Sequence, residues 1–227
     1  GTYLYNGGVL WNNTLAHTSV HNTVTVDYLD QMVQVSRITW VDWAGGEKLD
    51  TVQQAGLPIY RYRQDGYTRL DDPVSHERSL VPLPGDRWLI IDQLSGAKKH
   101  HYRLHWLLPD LVYSPVNGLA GIGFTVEEQD LVFLSGSNQI SHRFSVVLAE
   151  PESNRGWRSR YYAQKEAALS LALEGDSLRA TFWSFLGQAD DLVVDTKDSI
   201  KISTDTFQLR MELDPLKIEF NAAENAL

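Results

Sequence analysis

The sequence predicts an all-β fold: a large antiparallel β-sandwich, supersandwich-like, with little helix. Three observations carry this expectation. Short runs of β-branched and aromatic residues recur roughly every 10–15 residues. Turn signals such as Gly45-Gly46 and Pro84-Gly85-Asp86 separate them. Within the runs, apolar and polar residues alternate with the period of two that a half-buried strand requires.

Taken in order, Thr23-Val24-Thr25-Val26 alternates cleanly, and residues 33–43 (VQVSRITWVDW) alternate over a longer stretch that ends at Gly45-Gly46. Pro58-Ile59-Tyr60-Arg61-Tyr62 is the next strand. Arg87-Trp88-Leu89-Ile90-Ile91-Asp92 has the apolar density of a buried central strand. The pattern continues at residues 101–106, 123–126, 131–134 and 144–148, then at 168–173, 178–185, 192–194, 200–202, 207–213 and 218–220. Residues 163–173 hold good helix formers, but Glu174-Gly175-Asp176 reads as a hairpin turn, so this stretch too is assigned to strand. No repeat or low-complexity linker divides the chain, and residues 1–227 are expected to form a single domain.

A chain of 227 residues is long enough to bury an independent core. Its net charge of -9 and pI near 5.2 argue against a nucleic-acid partner, which draws on clustered Lys and Arg. A polyanionic sugar would need a local basic or metal-bearing site within that acidic field. There are no cysteines, so disulfides and thiolate metal sites are excluded. No apolar run reaches the roughly 18 residues of a membrane span.

Three stretches are candidates for chemistry. In residues 16–27, His17 and His21 stand before an alternating strand, where an imidazole can face a cleft and bind metal or move a proton. In an extended chain, positions four apart lie roughly 13 Å from each other, too far to chelate one ion unless a turn intervenes. The other reading of His21 is a hydrogen-bonded structural residue at a strand edge. The second stretch is Lys98-Lys99-His100-His101-Tyr102-Arg103-Leu104-His105, the most basic in the chain. Its lysines read as a solvated turn, whereas His105, beside Trp106, is a candidate for substrate contact. The third is residues 154–162, where Trp157, Arg158, Arg160 and Tyr161 combine faces that stack on sugar rings with forks that bind carboxylate or sulfate. It reads equally as an amphipathic edge strand. No phosphate loop, His-Glu-x-x-His or nucleophile elbow is present, and the adjacent pairs Asp71-Asp72 and Asp190-Asp191 sit in polar turns.

Gly1-Thr2-Tyr3-Leu4-Tyr5-Asn6, followed by His21-Asn22-Thr23-Val24-Thr25-Val26-Asp27 and Asp30-Gln31, resembles the heparinase II/III-like family. So do Asp65-Gly66-Tyr67-Thr68-Arg69-Leu70, His76-Glu77-Arg78-Ser79, residues 84–92, His105-Trp106 and Gly156-Trp157-Arg158-Ser159-Arg160-Tyr161. The resemblance covers most of residues 1–187. It implies the C-terminal β-sandwich of a lyase that cleaves uronic-acid polysaccharides, of heparin or alginate type, by β-elimination. It also implies an upstream helical toroid domain that carries most of the catalytic groups, and a periplasmic or secreted enzyme. By the same resemblance His21 contributes to a divalent metal site, often zinc. A fragment alone would then be inactive. The alternative is a non-catalytic carbohydrate-binding or structural module.

Overall fold

The computed structural model describes residues 1–138, 142–196 and 198–222. Antiparallel strands dominate them, and the helical elements are a single α-turn, Gly8–Trp11, and two 3-10 turns, Thr14–Ala16 and Thr18–Val20. The expected antiparallel β-sandwich is what forms. Its larger sheet has eleven strands, ordered along its main path as Gly46–Lys48, Leu57–Gln64, Ser75–Leu83, Arg87–Leu108, Leu169–Gln188, Gln129–Ser137, Ala120–Val126 and Tyr113–Pro115. Val24–Val26 adds to Arg87–Leu108, Arg143–Leu148 to Leu169–Gln188, and Val52–Gln54 to Leu57–Gln64.

A four-stranded meander, Leu192–Thr196, Ser199–Ser203, Phe207–Leu213 and Leu216–Ala222, forms the second layer. The period-two pattern sends Ile200, Ile202, Phe207, Leu209, Met211 and Leu213 from this meander against Leu89, Ile91, Trp183 and Phe185 of the large sheet. A second core lies on the opposite face, where Val24, Val26, Tyr67, Leu94, Tyr102 and Leu104 meet Leu173 and Phe182. Each of these side chains removed from water contributes about 1.5–3 kcal/mol. A bidentate pair, Arg87 with Asp191 (2.7 and 2.8 Å), ties the hairpin at Arg87 to the start of the meander.

Three expectations about strand length are corrected. Residues 87–92 and 101–106 belong to one 22-residue strand, Arg87–Leu108. Residues 168–173 and 178–185 fall almost wholly within one 20-residue strand, Leu169–Gln188. Glu174, Gly175 and Asp176 are therefore not a turn: they pair with Arg103, Tyr102 and His101. The register shifts where Ser177 faces His100 while Arg179 faces Ser95, so residues 96–99 bulge outward. Lys98 and Lys99 are exposed there as expected, but within a strand. Residues 33–43 are not one strand. Val33–Gln34 and Trp40–Val41 form a two-stranded hairpin whose outer residues Val35 and Ile38 stay exposed.

Candidate functional site

The residues leading into Val24–Val26 do not extend; they coil through the two 3-10 turns and place His21 at the end of the second. This intervening turn folds the His21 ring back so that Nδ1 lies 2.7 Å from the carbonyl of His17. A carbonyl only accepts, so Nδ1 carries a hydrogen, and in the neutral ring the lone pair lies on Nε2. His21 and Asn22 are exposed, yet the turn beneath them is fixed. The backbone N–H of Leu107 donates to the Asn22 side-chain oxygen (2.7 Å), and Arg78 donates to the Asn22 carbonyl (2.6 Å). Gln31 donates to the Thr23 hydroxyl (3.1 Å).

His17 turns away from His21 and bonds Asp30 at 2.5 Å. Asp30 also accepts the backbone N–H of Thr18 (2.6 Å). The hydrogen bond to Asp30 raises the His17 pKa against the opposing effect of burial. In return, His17 and the Thr18 amide hold Asp30 below the usual carboxylate range although burial pushes it upward. The edge of Trp40 closes over the His17 ring at 5.5 Å between centroids.

Behind the turn lies a buried charge cluster. Asp92, 1% exposed, sits opposite Arg78 in the register of neighbouring strands. Arg78 grips it through Nε (2.8 Å) and Nη2 (3.0 Å), while His76 Nε2 donates to it at 2.6 Å. Gln64 accepts the Gly66 amide through its oxygen (2.7 Å), which turns its NH2 group onto His76 Nδ1 (3.1 Å). Burial would raise the Asp92 carboxyl, but Arg78 and His76 outweigh it and hold the pKa at about 2. The Arg78 guanidinium also lies 5.3 Å from the Trp106 ring centroid. A cleft of about 470 Å3 opens over these groups, lined by Thr23, Gln31, Tyr62, Gln64, His76 and Arg78 among others.

The family model described as "Heparinase II/III-like, C-terminal" matches residues 1–211. The chain belongs to this family. No curated protein sequence matches it. Among solved structures, a heparinase III gene product superposes with a TM-score of 0.67 at 14% identity, over 98% of this chain and 34% of that one. A mutant heparan sulfate lyase from Pedobacter heparinus gives 0.61 at 16% identity, over 98% and 34%. Another heparinase III gives 0.60 at 10%, over 89% and 29%. At these identities the likeness shows the shared fold. The chain spans about a third of the length of these relatives.

Within this heparinase II/III-like C-terminal domain, the residues singled out in the sequence fall into three places. His21 is exposed on its turn, two residues before Thr23 of the cleft lining. His105, expected to contact substrate, has no exposed surface. Its Nδ1 lies 3.0 Å from the His21 carbonyl and its Nε2 2.7 Å from the Ser170 hydroxyl. Burial, reinforced by the charges of Arg103 and Arg155, pushes its pKa down to about 3. A ligand has no route to it, so any part it plays is through its neighbours.

Trp157, Arg158, Arg160 and Tyr161 gather with the N-terminal segment. Trp157 packs edge-on against Trp11, and the Lys165 ammonium lies 3.7 Å from both ring centroids. One face of the Trp157 ring is therefore covered by Lys165. Arg158 and Arg160 both reach Glu166 at 2.7 Å. Tyr161 is 70% exposed, as Tyr162 is at 57%, and Tyr162 stacks with Tyr5 at 5.5 Å.

Sequence reasoning passed over Asp92, Gln64 and the His17–Asp30 pair. Asp92 did carry a signal: a carboxylate ending the apolar run Trp88-Leu89-Ile90-Ile91 must find a cation if that strand is central. One aspartate of each adjacent pair is structural. Asp191 binds Arg87, and Asp72 accepts from the backbone of Ala97 and Lys98 and from His100. As to a metal, no group of three His, Asp or Glu side chains among the described residues fits one. In this turn the His21 Nε2 meets no hydrogen-bond partner among the described residues.

Proposed function

We propose that this domain forms one wall of the substrate cleft in a lyase that cleaves a uronic-acid-containing polysaccharide by β-elimination, and that His21 faces that cleft. The observation that supports it most directly is the presentation of His21: exposed, anchored through its backbone neighbours, with Nδ1–H engaged and the Nε2 lone pair outward. Such a nitrogen accepts a proton or a hydrogen bond from a sugar hydroxyl, or ligates a divalent metal such as zinc shared with residues outside those described. Because the described residues offer no complete ligand set, no step is assigned to a metal.

In β-elimination the uronate carboxylate must be neutralised, the C5 proton removed and the 4-linked oxygen released. The chain's contribution to the first requirement would come from the guanidiniums that line the cleft, Arg78 and Arg63, which are already paired with Asp92 and Glu77 and would have to share their donors with a uronate. Tyr161 and Arg160 offer an outer surface for an anionic glycan. An upstream helical toroid domain would supply the opposite wall. The enzyme would work in the periplasm or outside the cell; no helix among the described residues is long and apolar enough to cross a membrane.

The test is His21→Ala in the longer polypeptide that carries this domain, assayed by ultraviolet absorbance of the unsaturated uronate product. The expected loss is roughly 10–100-fold or more, with an unchanged melting temperature because the side chain is exposed. Activity close to wild type would favour the second reading, a carbohydrate-binding or structural module without chemistry.

A further inference from the structure

We infer that His105 is a positioning residue that fixes which ring nitrogen His21 presents, as the last member of a one-way chain of hydrogen bonds from Arg155 through Ser170. The inference deepens the proposed function and rests on the reading of His21 as a site residue. Its geometry is closed at every link. Arg155 Nε donates to the Ser170 hydroxyl (3.1 Å), and its two terminal nitrogens donate to Ser145 Oγ and the Ser170 carbonyl (both 3.2 Å). A guanidinium only donates, so Ser170 must send its own proton onward. The neighbour that receives it is His105 Nε2 at 2.7 Å.

At the far side of the ring, His105 Nδ1 faces the His21 carbonyl at 3.0 Å, an acceptor, so Nδ1 carries the hydrogen. Both ring nitrogens are thereby assigned: Nδ1 donates and Nε2 accepts. The ring stays neutral because no carboxylate touches it and two guanidiniums crowd it. The His21 carbonyl also receives the Thr23 amide (2.8 Å), and the two donors together set the orientation of the turn. That orientation brings the His21 ring back to the His17 carbonyl (2.7 Å) and locks the Nδ1–H tautomer. A free neutral imidazole prefers the opposite tautomer, with hydrogen on Nε2. The buried chain therefore holds open the nitrogen that solution chemistry would leave protonated.

The test compares His105→Asn, His105→Gln and His105→Leu in the 227-residue chain labelled with 15N-histidine, reading the His21 tautomer from its ring nitrogen shifts. The Asn amide reaches the place of Nδ1–H and keeps the bond to the His21 carbonyl; the Gln amide reaches only toward Ser170. Wild type and His105→Asn are expected to hold His21 as Nδ1–H. His105→Gln and His105→Leu should move the ratio toward Nε2–H by roughly fivefold, the worth of one net hydrogen bond. If the leucine variant does not fold, the near-isosteric Asn and Gln pair decides. An unchanged tautomer in His105→Gln, or Asn and Gln variants that behave alike, would overturn the inference. Lyase assays of the same variants in the longer polypeptide separate this outcome from the function itself. An inactive wild type sinks the proposed reaction and leaves the tautomer result standing.

Discussion

Replacing Asp92 with alanine is expected to cost the fold about 3–5 kcal/mol, the loss typical when one partner of a buried ion pair is removed. Among the described residues the carboxylate is the only anion that Arg78 and His76 touch, and it is 1% exposed. Without it, His76 keeps a buried N–H with no acceptor, and Arg78 keeps its charge with only the Asn22 carbonyl to hold. Asp92→Asn preserves volume and one acceptor oxygen but turns an NH2 group toward a donor, so an intermediate loss is expected. Urea titration followed by tryptophan fluorescence measures both.

The pH dependence gives a sharper signature. Asp92 titrates near 2 in the fold against 3.8 unperturbed, so its contribution is complete above about pH 4. It is lost as pH falls through the folded value, amounting to about 2 kcal/mol. In Asp92→Asn that acid-side loss should shrink by this amount. If wild type and Asp92→Asn lose stability in parallel between pH 4 and 2, Asp92 is not the ionised centre of the cluster. The same substitution reaches the candidate site, because Arg78 also anchors the Asn22 carbonyl next to His21.

What the sequence conveyed and what it hid have separate physical causes. Period-two alternation depends on which face is buried, and that is local. The strands at Leu57–Gln64 and Phe207–Leu213 were legible for this reason. Strand length is not local. Residues 96–101 (GAKKHH) carry no apolar alternation, and the His100 and His101 rings are met by Asp27, Asp72 and Asp176, which lie far away in sequence. Only the assembled sheet shows that the strand continues. Residues 33–43 err in the opposite direction: the alternation is present, but Thr39 bonds back to Val35 and closes a hairpin. At the site, the residue type and strand-mouth position of His21 were readable. The burial of His105 was not, since alternation places it on a face without saying that Ser170 and Arg155 would cover that face.

His100 sets the alkaline side of stability. Its Nδ1 lies 2.6 Å from Asp27 and its Nε2 2.7 Å from Asp72, and its side chain is 6% exposed. Two carboxylates can both be satisfied only by an imidazolium, the form with a hydrogen on each nitrogen. Burial would lower the pKa, but the two aspartates outweigh it and raise it above 6.5. A raised folded-state value means that the clamp's contribution is fully present below about pH 6.5 and is lost as pH rises through the folded pKa. His17, raised by Asp30, acts in the same direction, and both clamps hold the ends of the loop from Asp27 to Asp30. The melting temperature should therefore fall as pH is taken from 6 towards 9. His100→Gln should lower it by several degrees at pH 6, at roughly 2–4 °C per kcal/mol for a chain of this size. As pH rises through the folded pKa the gap between variant and wild type should narrow, because wild type then loses the same proton. A gap that stays constant across the range would show that His100 is held by packing alone. A narrowing gap would mean that the loop supporting the His21 turn is tightened by protonation, at residues more than seventy positions apart in the chain.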